Sequence, residues 1–223
     1  LIEKPLGLNA SEALKILRTA KKNKVYLKTG FNLRYDNGVK LAKKLIDDKK
    51  IGKIYFIKIA YVNGSVKSNK NRIGSLSDIG SHSVNLFEFF INKKFKVISN
   101  IMQKNEYFKD DNGFITLKSG KVIGHIHHSF VRWENNFSLE ISGDKGSVSV
   151  NSLPKWGKQT VSLAKRVYPS GKPHVKNWYF YSDKSWYNEW IHFNNSIKNK
   201  SFKDIDEGYV TMKNLEMIRK KIK

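Results

Sequence analysis

Ile54-Tyr55-Phe56-Ile57-Lys58-Ile59-Ala60-Tyr61-Val62 is nine residues of β-branched and aromatic side chains with one charge, and it divides the chain into two kinds of sequence. Before it the pattern is helical. Asn9-Ala10-Ser11-Glu12 has the form of a capping box, and Ala13, Ile16, Leu17 and Ala20 follow at helical spacing until Lys21-Lys22-Asn23-Lys24 closes the helix with positive charge. Val25 to Phe31 reads as a short strand, so residues 5–31 form the helix-then-strand end of an α/β unit. Asp36 caps a second helix with Val39, Leu41, Ala42, Leu45 and Ile46 on its inner face, and Ile51-Gly52 breaks it.

After Val62 strands dominate. Lys96 to Met102, Gly113 to Lys118, Val122 to Val131, Phe137 to Ser142 and Ser147 to Val150 all read as strands. Ser119-Gly120 and Gly143-Asp144-Lys145-Gly146 are hairpin connections between them. The fold class expected is α+β: an antiparallel or mixed open sheet with helices on one face. Pro154 to Pro173 has little periodicity and is expected to be an excursion loop. Two helices should close the chain, with Trp186, Trp190, Phe193 and Ile197 forming one core stripe and Met212, Leu215, Ile218 and Ile222 the other.

Composition narrows the function classes. The 223 residues contain no cysteine, which excludes disulfides, thiolate metal sites and a cysteine nucleophile. The apolar runs are too short to span a bilayer. Lys+Arg number 42 against 19 acidic residues, a footprint that suits nucleic acid, but only six of the 42 are Arg and the lysines are spread along the whole chain. That dispersal argues against a nucleic-acid partner. His125 and His127 share a strand face, yet no carboxylate accompanies them in sequence, so a sheet-face role outweighs metal binding and no metal is expected.

Chemistry concentrates in Gly74-Ser75-Leu76-Ser77-Asp78-Ile79-Gly80-Ser81-His82, a small-residue loop running into an apolar helix. Asp78 and His82 stand four residues apart, on one helical face, where a carboxylate and an imidazole can serve a proton relay. Equally, Asp78 can be a helix cap and His82 a satisfied core histidine.

Three features then align: Glu3-Lys4-Pro5, Gly30-Phe31-Asn32-Leu33-Arg34-Tyr35, and Asp78-x-Gly80-x-His82 leading a helix. Their order resembles the glucose-fructose oxidoreductase / inositol dehydrogenase (Gfo/Idh/MocA) family. So do Trp133-x-Asn135-x-Phe137-Ser138-Leu139-Glu140-Ile141-x-Gly143 and Ser185-Trp186-x-x-Glu189-x-x-x-Phe193. The resemblance implies that residues 1–32 are the end of an NAD(P)-binding Rossmann domain, its last helix and strand, and that residues 33–223 form an α+β substrate-binding and oligomerisation domain. It implies an NAD(P)-dependent dehydrogenase acting on a sugar, cyclitol or nucleotide sugar, truncated at its N-terminus, cytoplasmic, and a homo-oligomer through the open sheet face. Catalysis is carried over to Lys4, Asp78 and His82. Cofactor contacts are carried over to Glu3, Lys4, Pro5 and Asn32, and substrate contacts to Lys4, Asp78, His82 and Asn85, where the family often has Asp. No Gly-x-Gly-x-x-Gly fingerprint occurs in the 223 residues, so the chain alone is expected to bind NAD or NADP poorly and to be inactive. A non-catalytic remnant that keeps only the oligomerisation module is the alternative.

Overall fold

The computed structural model describes residues 1–65, 73–106 and 109–221. Helix α1 (Ala10–Lys22) starts as the capping pattern requires: Asn9 Oδ1 accepts from the Glu12 amide at 2.9 Å, and the Glu12 carboxylate accepts from Leu8 N at 2.8 Å. Helix α2 (Asn37–Asp47) starts at Asp36, whose carboxylate accepts from Val39 N. The expected strand at 25–31 contracts to one parallel bridge, Ile2 with Thr29, closed by Ile2 N to Lys28 O and Gly30 N to Ile2 O, both 2.8 Å. A single short neighbour gives the segment only those rungs, and they fix the course of the chain into Lys4.

Eight strands make one sheet: β1 (Ile54–Val62), β2 (Lys96–Gln103), β3 (Asn112–Ser119), β4 (Val122–Ser129), β5 (Asn136–Gly143), β6 (Gly146–Asn151), β7 (Gln159–Lys165) and β8 (His174–Phe180). Their order is β2-β3-β4-β1-β5-β6-β7-β8, antiparallel except where β1 runs parallel to β4. The sheet is therefore mixed and open. β7 corrects the expected excursion loop, and β8 follows directly after it. Gln159, Val161 and Leu163 do alternate inward, but a polar residue leads the series and β8 carries almost no buried positions, so neither strand stands out by hydrophobicity.

Helices cover one face only. Ile57, Ile59 and Tyr61 of β1 point to the same side as their partners Gly124, Ile126 and His128 of β4 and Ile141, Leu139 and Phe137 of β5, and this side packs on α3 (Ser81–Ile91) through Val84 and Phe87. The opposite face carries Lys58, His125, His127 and Glu140. His127 stacks on Phe114 at 4.3 Å and meets Asn112 Oδ1 at 3.0 Å, a sheet-face environment.

The last two helices behave differently. In α5 (Glu207–Lys220) Met212, Leu215 and Ile218 are buried as expected, while Ile222 lies outside the described residues. In α4 (Ser185–Lys198) the expected aromatic stripe is not core: Trp186 is 54% and Trp190 50% exposed. The residues turned inward are Ser185, which accepts from Asn32 of the tight turn Asn32–Tyr35 on which α4 packs, and Glu189, whose carboxylate has no hydrogen-bond partner among the described residues. Among the described residues no helix is long and apolar enough to cross a membrane.

Candidate active site

Helix α3 is entered through a π-turn, Leu76–Gly80, wider than an α-helical turn. Asp110 anchors its start, taking Leu76 N at 2.7 Å and the Ser75 hydroxyl at 3.1 Å. The same hydroxyl meets Nδ1 of the fully buried His128 at 2.9 Å. Gly80 closes the turn with its amide on Ser75 O at 2.8 Å, and a Cβ there would stand 3.1 Å from the His128 ring, so the close approach suits glycine. Arg219, near the end of α5, donates to the Ser77 hydroxyl.

Asp78, in this turn, meets the N-terminal segment. Lys4 Nζ is ion-paired to the Asp78 carboxylate and donates to the Asp78 carbonyl at 3.1 Å. His82, one turn on, is 8% exposed and lies edge-on to Phe31 at 5.9 Å and beside Tyr61 at 6.0 Å. Its Nδ1 is sealed by packing without a hydrogen-bond partner among the described residues. Burial, with Lys4 and then Lys155 adding positive charge, pushes its pKa well below the ordinary histidine value. The imidazole is therefore neutral near pH 7.

The remaining expected residues divide. Asn32 sits beside the Phe31 that touches His82 and donates to Ser185 Oγ of α4 at 2.8 Å. Glu3 is exposed, its carboxylate close to the Gly30 backbone, and Pro5 follows Lys4 through a cis peptide. Asn85 does not join the group. It is 1% exposed and both ends of its amide are occupied: Oδ1 accepts from Arg34 Nε at 2.6 Å, and Nδ2 donates to Glu207 at 3.2 Å and to Thr211 Oγ1 at 3.0 Å. Both of its amide protons and one lone pair of its oxygen are thus engaged within the protein.

Asn85 instead belongs to a buried polar knot. Glu207 pairs with Lys28 and, at 2.9 Å, with Arg34, while Glu88 accepts from Thr211 Oγ1 at 2.7 Å and Asn214 Nδ2 at 2.9 Å. Burial raises the Glu88 pKa to about 7 against those donors. The knot ties α3 and α5 to the segment that follows the Thr29 bridge.

Sequence reasoning also missed Tyr61, Lys155 and Trp156. Tyr61 is an inward position of β1 and its parity could have flagged it. Lys155 and Trp156 lie in a short 3-10 turn, Pro154–Trp156, for which no periodic signal exists.

A neutral buried base beside a lysine held by a carboxylate is a donor set suited to interconverting a hydroxyl and a carbonyl. Residues 39–149, about half of the chain, match the family model for the GFO/IDH/MocA C-terminal domain. The chain is 25% identical over 163 residues to the inositol 2-dehydrogenase/D-chiro-inositol 3-dehydrogenase of Lacticaseibacillus casei, covering 70% of this chain and 46% of that protein. It is 25% identical over 168 residues to the glucose-6-phosphate 3-dehydrogenase of Bacillus subtilis (strain 168), covering 65% and 48%. The chain thus spans about half the length of the curated relatives it matches. Among solved structures, levoglucosan dehydrogenase in its apo form superposes with a TM-score of 0.85 at 18% identity, over 99% of this chain and 70% of that one. A 3-ketoreductase from Actinomadura kijaniata, in complex with NADP and TDP-benzene, gives 0.82 at 14% identity, over 98% and 69%. The solved structures share this fold, and by the family match and the curated relatives the chain belongs to the GFO/IDH/MocA family.

Proposed function

We propose that this chain is the catalytic and substrate-binding part of an NAD(P)-dependent dehydrogenase acting on a hydroxyl of a sugar, cyclitol or nucleotide sugar. The observation that carries the reading is the Lys4 ammonium held by Asp78 on the turn that leads to His82. The bound nicotinamide supplies the hydride acceptor. Lys4 donates to the substrate oxygen and stabilises the negative charge that develops on it as the hydroxyl becomes a carbonyl. Asp78 fixes the lysine's position. His82 takes the hydroxyl proton through Nε2, Nδ1 being the nitrogen sealed by packing.

The reacting end of the cofactor fits the donor set on Lys4, Asp78 and His82, with Glu3, Pro5 and Asn32 on the cofactor side. Residues that would hold a pyrophosphate are not found in the 223-residue sequence, which lacks the Gly-rich fingerprint. Residues 1–32 are accordingly read as the end of a dinucleotide-binding domain whose earlier strands lie in an upstream segment, and residues 33–223 as the substrate domain. The parallel bridge between Ile2 and Thr29, with α1 between its two sides, supports that division. The helix-free sheet face, with Lys58, His125 and Glu140, is the surface proposed for self-association.

The test is an assay of the protein with its upstream segment. NAD+ or NADP+ is supplied with myo-inositol, glucose 6-phosphate and levoglucosan, and formation of reduced nicotinamide is followed. Turnover of at least one of these polyols supports the reading. No turnover of any, with a cofactor shown to bind, counts against it.

A further inference from the structure

The turn Pro154–Trp156 brings a second lysine to the site. Lys155 Nζ donates to the Tyr61 hydroxyl at 3.2 Å, lies 5.0 Å from the centre of the Trp156 ring and 5.7 Å from that of Tyr61. Tyr61 in turn stands 6.0 Å from His82, so a single phenol ring separates the ammonium from the imidazole. Two cations thus flank one buried base, and they differ in pairing. Lys4 is matched by Asp78, whereas no carboxylate pairs with Lys155 among the described residues.

An ammonium has three donors, and the phenol oxygen takes one. Two remain, on an exposed residue whose ammonium is steadied by two aromatic rings. A lysine on a solvated surface loses rotamer freedom when it captures a ligand, and one already steadied by ring faces loses less. The bland alternative is that Lys155 only covers the aromatic pair. That role would not need a charged head placed beside the base, and its positive charge works against protonation of His82.

We propose that Lys155 is a specificity-determining residue that binds an anionic substituent, phosphate or carboxylate, on a sugar whose reacting hydroxyl lies between Lys4 and His82; this rests on the dehydrogenase reading above. Docking the anion offsets the Lys155 charge, so the bound substrate makes His82 a stronger base at the moment it is needed.

The test is titration calorimetry of the protein with glucose 6-phosphate, glucuronate and glucose. It compares the wild type, Lys155→Met, and Lys121→Met as a control for overall charge at the distant β3–β4 turn. The wild type and Lys121→Met are expected to prefer at least one anionic sugar over glucose by about 10- to 100-fold, the range of a charge-assisted hydrogen bond. Lys155→Met is expected to lose that preference while keeping its affinity for glucose. A stronger preference for glucose 6-phosphate assigns the group as phosphate, and one for glucuronate assigns it as carboxylate. An equal preference in wild type and Lys155→Met overturns the inference, as does none in the wild type. Oxidation of anionic sugars unaffected by Lys155→Met would also overturn it while leaving the dehydrogenase reading in place. A Lys155-dependent preference in a protein that never reduces nicotinamide would instead remove that reading.

Discussion

Lys4 and Asp78, 74 residues apart along the chain, are joined twice: the lysine ammonium contacts both the carboxylate and the backbone carbonyl of Asp78. The aspartate therefore aims the lysine without needing to touch substrate. Asp78→Asn should lower kcat about 100-fold, the usual cost of misplacing a catalytic group by an ångström or so, with little change in cofactor affinity. Steady-state kinetics on the full-length protein checks this, and an unchanged kcat would separate Asp78 from Lys4.

The neutral state of His82 has a kinetic signature. Burial, Lys4 and Lys155 all hold its pKa below 6.5, and Asp78 is already engaged by Lys4. The acidic limb of kcat/KM for oxidation should lie below the ordinary histidine value, because the base stays unprotonated as pH falls. Lys155→Met removes one of the depressing charges and should move that limb to higher pH. A limb that stays in place in the variant would contradict the arrangement.

His128 offers a stability readout away from the chemistry. Burial pushes its pKa down to about 3. The unfolded chain takes up the proton near 6.5 and the folded chain does not, so stability is full above 6.5 and is lost as pH falls toward 3. Between pH 6.5 and 5 this one group should cost the wild type about 2 kcal/mol relative to His128→Gln. Glu88 acts in the opposite sense: with its folded pKa raised to about 7, it reduces stability as pH rises from 4.5 toward 7. Urea midpoints at pH 7 and pH 5 for both proteins give the difference, and parallel losses would rule out the assignment to His128.

The Lys28–Glu207–Arg34 cluster is the most exacting part of the interior. Glu207→Ala leaves Lys28 buried without its partner and should destabilise by about 3–5 kcal/mol. Lys28→Met in the same chain should recover part of that loss, because the uncompensated charge goes with it. Equilibrium urea unfolding of the two variants measures both. Gly124→Ala, where the new methyl would meet the Phe87 ring under the sheet, should cost about 1–3 kcal/mol by overpacking.

Much of the fold was legible because it is written in short-range patterns. Asn9 and Asp36 announce their helices, the alternation in β1 to β6 sets the inner face of the sheet, and Ser119-Gly120 and Gly143-Asp144-Lys145-Gly146 mark its hairpins. What escaped depends on what an element meets. Trp186 and Trp190 look like core by spacing, yet α4 turns Ser185 and Glu189 inward, with Ser185 accepting from Asn32 of the neighbouring turn. The partners of Asn85, namely Arg34, Glu207 and Thr211, arrive from distant segments and leave no short-range pattern. Lys155 needed the mixed sheet to deliver it to Tyr61.

The central claim, that Lys4 and His82 act together on one carbinol, is tested most directly with a polyol substrate deuterated at the reacting carbon. The deuterium should appear on the reduced nicotinamide formed by the full-length protein. Lys4→Ala and His82→Ala should each slow that transfer by about 100-fold or more while the cofactor still binds. Transfer at the wild-type rate in both variants, or a product that retains all of its deuterium, would contradict the account.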